Sequence, residues 1–372
     1  MDLGFSTEQT ALRDSVREFL ANEYPITLAK ESSENPMGYS VPTWRKLSDL
    51  GWLGIGMPPE YGGGGFGLME TALMYEEFGR GLYQCPHFGG TFLCGSLIQR
   101  LGSEAQKRAL LPGLASGSLI MSLAFLEENA RWEEAEVRLQ SRRAAGGWEL
   151  TGTKLFVTHA TAADELLCAA RNEGGKGISL FHIRHPKDLA ISLMPSAYGN
   201  LYYQVDFQGY RVQEEDVVGA PGAAWPALAQ TIERAAALQC AEMVGLAQRI
   251  LDMSAEYAKH RVQFGHPIGA YQGIQHVLAE MLGRLDASRL LTYQAVSFLD
   301  EGLPARRELA MAKAYVNEGA YQIALDGMQV LGGVGFTIEH PLPHYAMRVL
   351  YGKMNLGDTD VHIEQVAQAL GL

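Results

Sequence analysis

Arg261-Val-Gln-Phe-Gly-His-Pro-Ile-Gly-Ala-Tyr-Gln-Gly-Ile-Gln-His276 is the stretch on which the reading of this chain turns. Residues 228–261 before it and 274–299 after it repeat apolar side chains at helical spacing, so it joins two long amphipathic helices through a Gly/Pro turn. Arg261 offers a planar fork that suits a pyrophosphate, Gln263 an amide that donates and accepts, and Phe264 an aromatic face, all near a helix end. A plain helix-helix turn with a surface arginine would read the same way. The run alone leaves both readings open.

Towards the C-terminus a third helical pattern covers 306–331 and a short one closes the chain, which favours an antiparallel bundle. The third pattern ends in Gln329-Val-Leu-Gly-Gly-Val-Gly-Phe-Thr337, where glycines either cap a helix or admit a dinucleotide close to the backbone. Towards the N-terminus, short segments such as Trp148-Glu-Leu, Lys154-Leu-Phe-Val-Thr158 and Ile178-Ser-Leu-Phe-His-Ile183 alternate with Gly, Asn and Pro turns. Before them helical patterns return, opening at Ser6 with Glu8-Gln9 and continuing through Leu12, Val16, Phe19 and Leu20. The expected class is α+β: an all-α N-terminal domain (1–117), a middle antiparallel β domain (118–222) and a C-terminal four-helix bundle (223–372).

The 372 residues carry a net charge of −12, with no basic stripe, so a phosphate backbone is repelled and nucleic acid is not an expected partner. Cys85, Cys94, Cys168 and Cys240 show neither disulfide nor metal-ligand spacing, which predicts buried thiols and no metal. No secretory signal opens the chain and no apolar run reaches the ~20 residues of a spanning helix. A cytoplasmic protein away from membranes is expected.

Together the R-x-Q-F-G-x-P-I and Q-x-L-G-G-x-G-F-T runs resemble the acyl-CoA dehydrogenase family of flavoproteins. Leu50-Gly-Trp-Leu-Gly-Ile-Gly-Met-Pro-Pro-Glu-Tyr-Gly-Gly-Gly-Gly65, Glu76-Glu-Phe-Gly-Arg80 and Trp148-Glu-Leu-Thr-Gly-Thr-Lys-Leu-Phe-Val-Thr158 are similar to further family motifs in order. The resemblance implies an oligomeric FAD enzyme that removes the α-proton and β-hydride of an acyl-CoA thioester, passing electrons to an electron-transfer flavoprotein or a similar acceptor. It places Thr158 near flavin N5 and Phe156 against the ring, where relatives carry Trp. It also implies that Arg261, Gln263 and Phe264 reach the FAD of a neighbouring subunit, Gln329, Gly332 and Gly333 cradle its ADP part, and Thr359 touches the cofactor.

The chain departs from the family twice. Relatives carry Tyr-Glu-Gly-Thr near the C-terminus with Glu as base; matched to Leu356-Gly357-Asp358-Thr359, the Glu falls on Gly357. Asp358 is then the neighbouring carboxylate, either a displaced base or a helix-capping residue. Members that draw the base from the first bundle helix would place it at Ala235; Glu233, two residues away, points about 200° off that direction, and Glu242 reads as a polar contact inside the bundle. Where relatives carry Thr-Glu-Pro-Gly-Ala-Gly-Ser-Asp, this chain has Leu126-Glu-Glu-Asn-Ala-Arg-Trp-Glu133, without the hydroxyl that contacts the flavin.

Three readings follow: a dehydrogenase with an atypical base segment, a non-catalytic subunit sharing the flavin site of a heterotetramer, or a flavin-binding relative with another role. The second resembles the heteromeric members acting on pimeloyl-type or steroid CoA esters; the alternative assembly is a homo-oligomer. Arg261, Arg348 and Lys353 are the candidate cations for a polyanionic CoA.

Overall fold

The computed structural model of the chain describes residues 4–197 and 201–372. Helices α1 (Thr7–Glu23), α2 (Ile26–Glu34), α3 (Val41–Asp49), α4 (Leu68–Arg80), α5 (Gly95–Leu101) and α6 (Glu104–Ala115) come first. Strands β1 (Met121–Ala124), β2 (Gln140–Ala144), β3 (Gly147–Thr158), β4 (Glu165–Asn172), β5 (Ile178–Ile183), β6 (Ala190–Met194), β7 (Tyr202–Gln213) and β8 (Val217–Val218) follow. Then come α7 (Trp225–His260), a two-residue ribbon β9 (Val262–Gln263) with β10 (His266–Pro267), and α8 (Gln272–Asp300), α9 (Arg306–Leu331), α10 (Leu342–Met354) and α11 (Thr359–Ala369). Among the described residues no helix is long and apolar enough to cross a membrane.

Local chemistry sets several starts. Ser6 and Ser103 each cap a helix through a reciprocal box, accepting from Gln9 N and Gln106 N while those glutamine side chains accept from the serine backbone. A π-helical turn over His87–Cys94 feeds directly into α5.

The elements divide into two compact units, each discontinuous in sequence. One comprises residues 1–29, 68–83 and 236–372, so α1 and α4 join the C-terminal helices. Gly79 of α4 and Gly245 of α7 make that packing possible: a Cβ on Gly79 would lie 2.0 Å from the Glu242 carbonyl oxygen, and one on Gly245 only 1.8 Å from that of Glu76. Buried Glu76 accepts from Tyr293 Oη (2.6 Å) and Arg289 Nε (3.2 Å), and Glu77 is gripped by both ends of the Arg17 fork. Helices α8, α10 and α11 all pack against α9.

The second unit, residues 30–67 and 84–235, is built on the sheet, ordered β6-β7-β3-β2-β4-β5-β8 with β1 also beside β4. The hairpins are antiparallel as the turns predict, but β1 and β2 run parallel to β4. They pair with successive stretches of β4, Glu165–Cys168 and then Arg171–Asn172, so both advance along it in one direction. Alternation of apolar and polar residues does not encode strand direction, which is why the sequence reading made the sheet uniformly antiparallel. Trp148, Leu150, Val157, Phe181, Tyr203, Val205 and Phe207 meet in its core.

Candidate functional site

In the sheet-bearing unit, a bulge in β3 decides which side chains face away from the core. Lys154 pairs with Val205 and Val157 with Tyr203, so two residues of β3 oppose one of β7. Core-facing positions on β3 change from Trp148 and Leu150 to Val157, leaving Phe156 and Thr158 together on the opposite face. Phe156 sits at φ +56°, a left-handed conformation that costs a side chain on the order of 1–2 kcal/mol. Thr158 is fixed from behind: Ser122 Oγ donates to its carbonyl at 2.6 Å. Its hydroxyl faces bare backbone, because a Cβ on Gly89 in the π-helical turn would stand 3.0 Å from Thr158 Oγ1.

The divergent segment after β1 is anchored even though it lacks a hydroxyl. Fully buried Lys154 donates to the Phe125 carbonyl (2.8 Å) and to Glu127 (2.7 Å), and the same Glu127 oxygen accepts from the backbone of Arg138 and Leu139. Leu155 N donates to the Leu126 carbonyl at 2.8 Å, and Trp132 stacks on Phe125 with ring centroids 5.1 Å apart. Glu233 lies half-buried on α7, while Ala235 is wholly buried.

In the other unit the Arg261 motif forms the β9–β10 hairpin rather than a simple loop. Phe264 (φ +53°) and Gly265 (φ +86°) occupy its turn, the pair of left-handed residues that a two-residue hairpin with right-handed twist requires. Tyr271 Oη donates to the Gln263 carbonyl at 3.0 Å, holding the hairpin to the start of α8. Phe264 is 92% exposed, with Arg261 and Gln263 exposed beside it. Gln329 lies in the last turn of α9, and Gly332 and Gly333 follow it with open space where a Cβ would stand.

The C-terminal segment is tightly tied. Asp358 caps α11, its Oδ1 accepting from Val361 N at 2.9 Å. Thr359 Oγ1 donates to Glu318 at 2.6 Å, and Glu318 also holds Lys353 at 2.8 Å. Gly357 adopts φ +97°, and a Cβ there would come within 2.6 Å of His362 Nε2, which itself donates to the Leu356 carbonyl at 3.0 Å. Lys313, fully buried beneath, donates to Asn317 Oδ1 (2.8 Å) and to the Gly352 carbonyl (2.6 Å); desolvation drags its ammonium down to about 8, and burial holds His362 at about 4.

Two of the three expected CoA-facing cations are committed elsewhere. Arg348 is bonded through Nε to Glu242 at 2.8 Å, and Lys353 to Glu318. Each is in direct contact with a carboxylate on a neighbouring helix, a pairing invisible in sequence because the partners are 106 and 35 residues away in the chain. Glu242 is the bundle contact expected of it, and with Gln239 it reaches Asn355, whose Nδ2 donates to Gln239 Oε1 at 3.0 Å.

The sequence reading missed Ser122 and Gly89. Only the Gly89-Gly90 pair, set in an apolar run after Pro86, left a legible signal.

Comparison with known proteins shows the family. The acyl-CoA dehydrogenase N-terminal domain matches residues 6–118 and the acyl-CoA dehydrogenase C-terminal domain matches residues 222–371. An acyl-CoA dehydrogenase of Bacillus subtilis (strain 168) is 30% identical over 351 residues, covering 90% of each chain. Among solved structures, a glutaryl-coenzyme A dehydrogenase in complex with glutaryl-CoA superposes with a TM-score of 0.93 at 27% identity, covering 100% of this chain and 97% of that one. PigA with FAD and proline gives 0.92 at 27% identity, with both chains covered completely. The chain belongs to the acyl-CoA dehydrogenase family. It is a flavoprotein oxidoreductase of the type that acts on a CH–CH bond.

Proposed function

We propose that this chain is the flavin-binding, base-deficient subunit of an FAD-dependent acyl-thioester dehydrogenase, and that a related, complete subunit completes the assembly. FAD, when bound, supplies the hydride acceptor. The observation that carries the reading is the state of the C-terminal loop: Gly357 has no side chain, its Cβ position is closed by His362, and the Asp358 carboxylate already serves as a helix cap. A general base must come within about 3 Å of its proton with a free lone pair. Gly357 offers no such group, and Asp358, one residue on, is turned by its cap bond toward Val361 N.

A second alignment of the motif leads to the same conclusion. Setting glycine on glycine and the capping residue on the capping residue puts the relatives' Thr at Asp358 and their Glu at Leu356, which is 3% exposed and left-handed at φ +58°. Under either register the base position holds no carboxylate.

The residues present suit the cofactor. Thr158 displays a hydroxyl beside the unsubstituted backbone of Gly89, Phe156 supplies a ring on the same face, and the exposed Arg261, Gln263 and Phe264 offer a fork, an amide and an aromatic plane to the dinucleotide of an adjoining subunit. Reduced flavin would be reoxidised by an electron-transfer flavoprotein or a similar acceptor. The substrate is an acyl-CoA, and steroid-type or ω-carboxylated acyl groups enter only by family analogy.

Anaerobic titration of the chain expressed alone with a panel of acyl-CoA thioesters tests this directly. Flavin that binds but does not bleach, and bleaches once a complete homologue is coexpressed, is the expected outcome. Bleaching by the chain alone would overturn the reading in favour of Asp358 as an atypical base.

A further inference from the structure

Phe156 poses a structural question of its own. It combines a bulge and a left-handed backbone, so the regular strand geometry does not fix the ring's direction. The ring that meets it edge to face is that of Tyr202. Its Cα is the cross-strand partner of Thr158, and because Tyr203, Val205 and Phe207 of β7 enter the core, Tyr202 stands on the same outward face as Phe156 and Thr158. The two rings meet edge to face, 5.8 Å between centroids at 82°, the arrangement favoured by aromatic quadrupoles.

Resting on the reading that FAD lies against this face, we propose that Tyr202 is a positioning residue of the flavin site: it braces the Phe156 ring beside the Thr158 hydroxyl. The ring of Tyr202, rather than its hydroxyl, is the part that acts. Left-handed non-glycine residues persist where their surroundings over-determine them, and the Tyr202 contact supplies that determination for a residue whose ring must present one face to a planar ligand.

The test is a double-mutant cycle on the protein purified with whatever partner subunit it retains. FAD affinity, the flavin absorption envelope and the flavin midpoint potential are measured for wild type, Phe156→Ala, Tyr202→Ala and the double variant, with Tyr202→Phe and Tyr202→Leu as controls. Tyr202→Ala and Tyr202→Leu are expected to weaken FAD by roughly 2- to 10-fold and to alter the envelope, while Tyr202→Phe stays within twofold of wild type. In the Phe156→Ala background, loss of Tyr202 should change FAD affinity by less than twofold, because the brace has nothing left to hold. Independent, multiplying effects would overturn the proposal, as would a Tyr202→Leu variant indistinguishable from wild type. Wild-type protein that takes up no FAD, alone or with its partner, would overturn the flavin reading and this inference together; normal flavin with multiplying effects would overturn only the role of Tyr202.

Discussion

At Asp358 the observed role of the carboxylate is that of a helix cap. Asp358→Ala should lower stability by about 1 kcal/mol, the usual worth of an N-cap, whereas Asp358→Asn, which can still accept from Val361 N, should melt close to wild type. Equal losses in both variants by calorimetry would mean that charge, not capping, is what the position supplies. The neighbouring residues separate the two motif registers. Gly357→Glu must adopt φ +97° and push against the His362 ring, so a loss of at least about 2 kcal/mol and no flavin bleaching are expected. Leu356→Glu, carrying a carboxylate whose pKa burial raises, should gain thioester-dependent bleaching in flavin-loaded protein; bleaching gained at Gly357→Glu instead would return the base position to residue 357. The cap at Asp358 was one of the two readings the sequence offered, whereas the left-handed φ at Leu356 and the His362 ring beside Gly357 were not readable, because they arise from tertiary packing rather than from the local run of residues.

Elements were legible where one physical signal dominated. The pattern over 306–331 gives α9 to the residue, because twenty-six positions of helical periodicity end at a Gly-Gly stop, and Ser6 with Gln9 gives the start of α1. The π-helical turn at His87–Cys94 and the bulge at Phe156 were not legible, since each is a departure from the period that the sequence expresses. The β9–β10 hairpin stands between these cases: its Phe-Gly turn was visible as a turn, but not as a ribbon projecting an aromatic. Phe264→Ala removes a side chain that is 92% exposed, so the stability of the chain in urea should hold within about 0.5 kcal/mol of wild type. FAD content after gel filtration and the mass of the assembly by light scattering should both fall; a variant that keeps both would show that the ring contacts neither cofactor nor partner.

Each compact unit of the molecule holds a buried neutral histidine, His87 in one and His362 in the other, both depressed by desolvation from 6.5 to about 4. The unfolded chain therefore binds more protons between pH 6.5 and 4, so stability is full above pH 6.5 and falls on acidification, by on the order of 3 kcal/mol for each ring. Lys313 acts at the other end: with its ammonium depressed to about 8 from 10.5, it makes stability rise between pH 8 and 10.5. Urea midpoints measured across both windows should show the acid loss and the alkaline rise, and Lys313→Met should flatten only the latter; a level profile from pH 4 to 6.5 would contradict the buried neutral rings. The broad plan of helices, sheet and helices could be read from periodicity, whereas the pairing of α1 and α4 with the last third of the chain could not, because residues meet there across long sequence separation. That pairing has a consequence for synthesis. A helix buried along most of its length, α4 is synthesised before residues 81–235, and at ~5–20 residues per second it waits on the order of ten seconds for the C-terminal partners that will cover it. During that interval the nascent chain carries an apolar helix whose final cover does not yet exist, so slower translation lengthens its exposure to aggregation whatever the stability of the finished fold.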